Sequence, residues 1–105
     1  MPDKEGHPEF DEITLEKVLI ALANPLRLKI VATLSREPDG TERYCASFRL
    51  PVTKASRTHH FRILREAGLI RQVDRGNSRM AHLRRGDISR RFPGLLEAIL
   101  DAGSR

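Results

Sequence analysis

The stretch from Thr53 to Ile70, TKASRTHHFRILREAGLI, restricts the possible folds of this chain more than any other. Thr53 is a suitable N-cap, Phe61 and Leu64 fall on one face of a helix, and Gly68 supplies the positive-φ stop that turns Leu69 back toward a core. At the roughly 100° per residue of an α-helix, the direction opposite Phe61 and Leu64 is occupied by Ala55, His59, Arg62 and Glu66. Lys54, Ser56 and Thr58 flank that face near the N-terminal end. Short residues let a backbone approach a groove closely, and Lys, Arg and His donors suit the N7 and O6 acceptors of guanine. An ordinary solvated helix more often carries Glu and Lys pairs.

Immediately after this helix, Leu69, Ile70 and Val73 precede DRGNSR, and Met80, Ala81, His82 and Leu83 follow it. Gly76 and Asn77 are a turn signal, so the pattern predicts a short hairpin whose tip holds Arg75, Asn77, Ser78 and Arg79. Arginines at such a tip can lie on phosphates or in a narrow minor groove, where the potential is more negative. A helix that ends in glycine and feeds a basic hairpin is the order of parts in a winged helix-turn-helix. The expected fold class is therefore mainly α with a small β-hairpin wing.

Charge distribution points the same way. The chain has 105 residues, 39% of them apolar and a formal charge of +5. Residues 1–42 carry 5 basic and 9 acidic side chains, whereas residues 43–91 carry 13 and 3, a local net of +10. Such a concentration of cations makes an attractive field for phosphate backbones. A chain of this length forms one small domain that buries only roughly two thirds of its unfolded surface, so a dimer is expected to help.

Elsewhere the chain reads as supporting structure. Residues 1–10 hold Pro2, Gly6 and Pro8 among charges and predict a flexible lead-in with a solvated His7, leaving a single domain over 11–105. From Asp11, with Asp11 or Thr14 as N-cap, Leu15, Val18, Leu19 and Leu22 recur at helical spacing, a narrow stripe that must lie against its own domain or a partner's copy. Asn24 and Pro25 then open a core helix through Leu26, Leu28, Ile30, Val31 and Leu34, with Arg27 and Lys29 on its exposed side, ended by Pro38, Asp39 and Gly40. In TERYCASFRLPV, Tyr44 and Phe48 are placed to anchor a short helix ended by Pro51. After the hairpin, Pro93 suits the first turn of a last helix carrying Leu95, Leu96, Ile99 and Leu100. Four large apolar residues in six are too many for a solvated end, so these and the first-helix stripe are the candidate dimer seam, with packing inside one subunit as the alternative.

Other chemistries find little support. There is no phosphate loop, nucleophile elbow or HExxH, so no enzyme is expected. The one cysteine, Cys45, excludes an intrachain disulfide and fits a reducing cytoplasm. It is either a small packing residue or, if Arg43 or Arg49 stabilises its thiolate, a redox switch. Adjacent His59 and His60 point about 100° apart and cannot chelate as an i, i+4 pair; His59 is expected to face DNA and His60 to pack or cap. No apolar run is long enough for a signal peptide core or a membrane span. No cofactor is implied, and nothing identifies a small-molecule effector.

The run ALANPLRLKIVATLS, followed by SRTHHFRILREAGLI and a basic wing, resembles the ArsR-type (arsenic-repressor-like) winged helix-turn-helix regulators of bacteria. The likeness covers roughly residues 13–100 and is most specific over His59–Ile70 and in NPLRLKI. It implies a homodimeric, cytoplasmic repressor whose first and last helices form the interface and which reads an imperfect palindrome. By the same likeness Lys54, Ala55, Ser56, Thr58, His59 and Arg62 fall where the family contacts DNA, and Arg75 and Arg79, with Asn77 between them, fall on its wing. Two departures stand out. Where the family's metal sensors often carry Cys-x-Cys, this chain has Tyr44, Cys45 and Ala46, and no histidine follows His82, so no metal site is expected. Arg57 occupies an inward position where the family usually has an apolar residue, and either snorkels to a phosphate or pairs with a carboxylate. The alternatives are a winged-helix protein-interaction module and a thiol-responsive sensor of the same fold.

Overall fold

Two side-chain caps set the corner from which the helices diverge. Helix α1, Leu15–Leu22, starts at Thr14, whose hydroxyl accepts from the Lys17 N–H. Asn24 Oδ1 then accepts from the N–H groups of Leu26 and Arg27 at 2.9 and 3.2 Å and starts α2, Pro25–Ser35, with Pro25 in the first turn. The two helices meet at 102°. Arg27, expected to face solvent, locks this corner instead. Its Nε donates to the Ala21 carbonyl at 2.8 Å and Nη2 to that of Ile20, both left open at the end of α1, and Nη1 meets His60 Nδ1 at 3.1 Å. Orphan carbonyls at a helix end need such donors.

The computed structural model describes residues 1–105, in which α1 and α2 are followed by a two-residue strand β1 (Arg43–Tyr44), helix α3 (Lys54–Ala67), strands β2 (Ile70–Arg75) and β3 (Ser78–Leu83), and helices α4 (Arg85–Arg91) and α5 (Leu95–Gly103). The sheet is antiparallel in the order β1-β3-β2, with Arg75 opposite Ser78 across the Gly76–Asn77 turn. Helices α2 and α3 pack against it, and α1 packs against those two helices. The core runs through Val18 and Leu22 of α1, Ile30, Val31 and Leu34 of α2, and Phe61 and Leu64 of α3. Leu69, Ile70 and Ala81 of the sheet segment complete it.

Gly68 is fixed twice over. Its φ of 86° is left-handed, and a Cβ there would lie 2.7 Å from Ile13 Cγ1. Both the chain reversal after α3 and the approach of the N-terminal segment depend on that missing side chain.

That N-terminal segment departs from the expected flexible lead-in. Residues 3–13 fold onto the free edge of β2 and the end of α3. His7 is buried rather than solvated: Nε2 accepts from the Gln72 N–H at 3.0 Å, and Nδ1 meets Asp3 Oδ2 at 2.8 Å. Arg84, itself buried, donates to the Pro8 carbonyl at 2.8 Å, and Arg91 to that of Ile13 at 2.9 Å. The polar groups of this stretch are satisfied by arginines between 60 and 78 positions away.

TERYCASFRLPV also differs from expectation. It begins as β1, pairing Arg43 with Ala81 and Tyr44 with Met80, and continues as a single 3-10 turn, Cys45–Phe48. Tyr44 consequently points outward and Cys45 takes the inner place. The turn stops at Arg49, in left-handed geometry at φ 49°, before Pro51 is reached. At the other end the structure adds α4, which no periodicity signals, and Pro93 precedes α5, whose N-cap is Gly94.

Candidate nucleic-acid interface

Helix α3 presents its two faces as its sequence dictates. Phe61 and Leu64 are buried, while Lys54, Ala55, Thr58, His59 and Arg62 are exposed and Ser56 is half-buried. Thr53 Oγ1 accepts from the Ser56 N–H at 3.1 Å and holds the first turn. Arg62 Nη2 lies 3.2 Å from His59 Nδ1. Because a guanidinium can only donate, that nitrogen is the acceptor, which leaves the His59 Nε2–H as a donor. Lys54 and Arg62 make no ion pair within the chain, so an exposed row of cations and hydroxyl groups stands along the outward side of α3. His60 turns inward instead, buried against Arg27, and burial with that neighbouring cation lowers its pKa.

The wing cations are arranged differently. Arg75 donates to both Glu42 oxygens, at 3.0 and 2.6 Å, and so holds the Glu42 carboxyl below the usual range. Arg79 bridges Asp74 at 3.2 Å and Glu5 at 3.3 Å. Asn77 is exposed at the tip with no carboxylate attached. Nothing local in the sequence joins Arg79 to Glu5 or Arg75 to Glu42; these partners meet only through the N-terminal fold-back and the β1 edge.

Between α3 and the wing, Arg57 lines a cleft of about 460 Å³ with Lys54, Arg65, Gln72 and Arg79, and Cys45 at its floor. Of the two expectations for Arg57, pairing with a carboxylate is not realised. Gln72 organises the floor: its Nε2 donates to Cys45 Sγ at 3.5 Å and its Oε1 accepts from Arg65. Burial pushes the Cys45 thiol up, against the thiolate that redox chemistry requires. The cations expected to stabilise it are elsewhere, Arg43 bonded to Ser47 and lying 5.0 Å above the Phe48 ring.

The expected dimer seam divides. Val18, Leu22 and Leu96 are buried inside the subunit, and Leu95, Ile99 and Leu100 pack partly against the core. Leu15 and Leu19 stay 40% and 44% exposed, and Ile20, which the stripe omitted, is 65% exposed. No three His, Cys, Asp or Glu side chains converge as a metal-binding group.

No family model and no curated protein matches the sequence. Solved structures do. An ArsR family transcriptional regulator superposes with a TM-score of 0.64 at 22% identity, covering 86% of this chain and 91% of its own. A possible transcriptional regulator for arsenical resistance gives 0.61 at 24%, covering 85% and 84%. An ArsR-like transcriptional regulator from Rhodococcus sp. RHA1 gives 0.59 at 20%, covering 87% and 84%. The chain has the ArsR-type winged-helix fold. In that fold α3 stands as the helix of the helix-turn-helix and the β2–β3 hairpin as its wing.

Proposed function

We propose that this protein is a DNA-binding transcriptional regulator of the ArsR type that reads duplex DNA through α3. The observation carrying this is the outward face of α3: Lys54, Ala55, Thr58, His59 and Arg62 exposed together, with neither Lys54 nor Arg62 engaged by a carboxylate. Arg62 and His59 are the base-reading pair, Lys54 and Ser56 contact the backbone, and Ala55 gives the close approach. Arg75, Asn77 and Arg79 reach the flanking DNA, the two arginines only by exchanging carboxylates for phosphates.

The reading extends to a homodimer that represses by occluding a promoter. The exposed apolar residues of α1, Leu15, Leu19 and Ile20, support a partner's copy as their cover, with the outer edge of α5 beside them. Residues 11–105 act as one domain, and residues 1–10 belong to it. Two-fold symmetry calls for an imperfect palindrome with half-sites about 34 Å apart, one helical turn.

Selection from a random duplex pool tests this. Enrichment of an inverted repeat with that spacing is expected, and a pool that stays unenriched after repeated rounds contradicts it. A protein-interaction module would leave the pool unchanged while keeping its α1 surface.

A further inference from the structure

The cleft between α3 and the wing has twelve lining residues, of which four are cations, Lys54, Arg57, Arg65 and Arg79, and none is a carboxylate. Three of the arginines lie close enough to Cys45 to act on its thiol by charge. Arg65 and Arg79 are already bonded, to Gln72 and the Glu5 carbonyl and to Asp74 and Glu5. Arg57 is half-buried as a residue, and its guanidinium makes no hydrogen bond or ion pair within the chain. An unpaired cation in a cleft with three others and no carboxylate raises the local positive potential, which a bound anion relieves. Thr58 and Ser78 add hydroxyl donors on facing walls, one from α3 and one from β3. At about 460 Å³ the space holds several waters at roughly 30 Å³ each, enough for a hydrated tetrahedral oxyanion.

We propose that this cleft is a phosphate site with Arg57 as its anchoring cation, and that Lys54 and the Thr58 and Ser78 hydroxyls complete the shell. It deepens the DNA-binding reading by placing a phosphate group between recognition helix and wing. That phosphate belongs either to a DNA backbone or to a free anion, and both present the same tetrahedral oxyanion to a planar guanidinium fork.

The test has two arms on the full chain, wild type and Arg57→Gln, with Arg36→Gln as a remote exposed control and unchanged melting as the check on folding. In the first, inorganic phosphate is titrated at constant ionic strength while arginine Nε–Hε resonances are followed by NMR. In the second, duplex DNA binding is measured from 50 to 200 mM salt. Saturable movement of the Arg57 resonance in wild type, with Arg65 and Arg79 resonances that move there and no longer move in Arg57→Gln, assigns the site to free phosphate. A salt slope about one smaller in Arg57→Gln, with affinity down about tenfold, assigns it to the DNA backbone. Either result supports the site, and both together support a shared one. Absence of both effects overturns it. If wild type takes up phosphate but no DNA, the site stands and the DNA-binding reading falls.

Discussion

Arg62 and His59 are joined by one hydrogen bond on the exposed side of α3, whereas Arg75 and Arg79 are each held by carboxylates. The two groups should therefore respond differently to substitution. Arg62→Ala is expected to lower binding to the preferred sequence by about 1–3 kcal/mol while leaving competitor DNA much less affected. Equal losses on both, measured by competition, would remove its base-reading role. Glu42→Gln should do the reverse: by freeing Arg75 it should raise affinity for every duplex alike and steepen the salt dependence by about one phosphate contact. Gly68→Ala should cost about 1–2 kcal/mol from the left-handed backbone alone, and more from contact with Ile13, which a melting curve would register. A melting temperature equal to wild type would contradict that account. The side of α3 on which Phe61, Leu64, His59 and His60 lie was legible from helical periodicity, and the stop at Gly68 from its residue type. Arg27, Arg84, Arg91 and His7 were not, because each is defined by a backbone group that tertiary folding delivers from far along the chain.

At the level of elements, the N-terminal segment is the part that sequence reading mistook most. Pro2, Gly6 and Pro8 among charges predict a flexible lead-in, yet Asp3 and Glu5 lie beside Arg71 and Arg79, and His7 caps the edge of β2. The bond to the Gln72 N–H requires an unprotonated Nε2, so only neutral His7 can make it. Burial, chiefly, lowers the pKa of His7, and it does the same to His60 and His82. The unfolded chain thus binds more protons, and the stability these imidazoles contribute is complete above about 6.5 and lost as pH falls through the folded values. Melting temperature should fall between pH 7 and pH 5, and more gently in His7→Gln, which retains an acceptor but does not titrate. An identical slope in that variant would show that neutral His7 does not hold the segment. The strand β1 and helix α4 were illegible for a plainer reason: two residues and seven residues leave too little periodicity to detect.

For the whole molecule, the acidic first 42 residues and the basic stretch that follows are not separate regions, since the fold lays one against the other. Much of the local +10 charge therefore supports structure: Arg84, Arg85 and Arg91 donate to carbonyls of other elements, while on α3 Lys54, Arg57 and Arg62 are the cations with no carboxylate or carbonyl partner. Apolar surface is divided in the same manner. Leu96→Asp would bury an unpaired charge inside the subunit and should unfold it, whereas Leu19→Asp or Ile20→Asp should keep the subunit folded, halve the mass in solution and lower melting only by the stability that the partner supplies. A wild-type mass already equal to one chain would contradict the dimer. The central claim is that α3 reads DNA, and the most direct measurement of it is competitive binding to a duplex from the gene's own upstream region, wild type beside Arg62→Ala, across 50 to 200 mM salt. Wild type is expected to prefer this duplex over competitor DNA at every salt concentration, with log affinity falling linearly with log salt, and Arg62→Ala to lose the preference but keep most of the slope. Wild-type binding indifferent to both sequence and salt would contradict it.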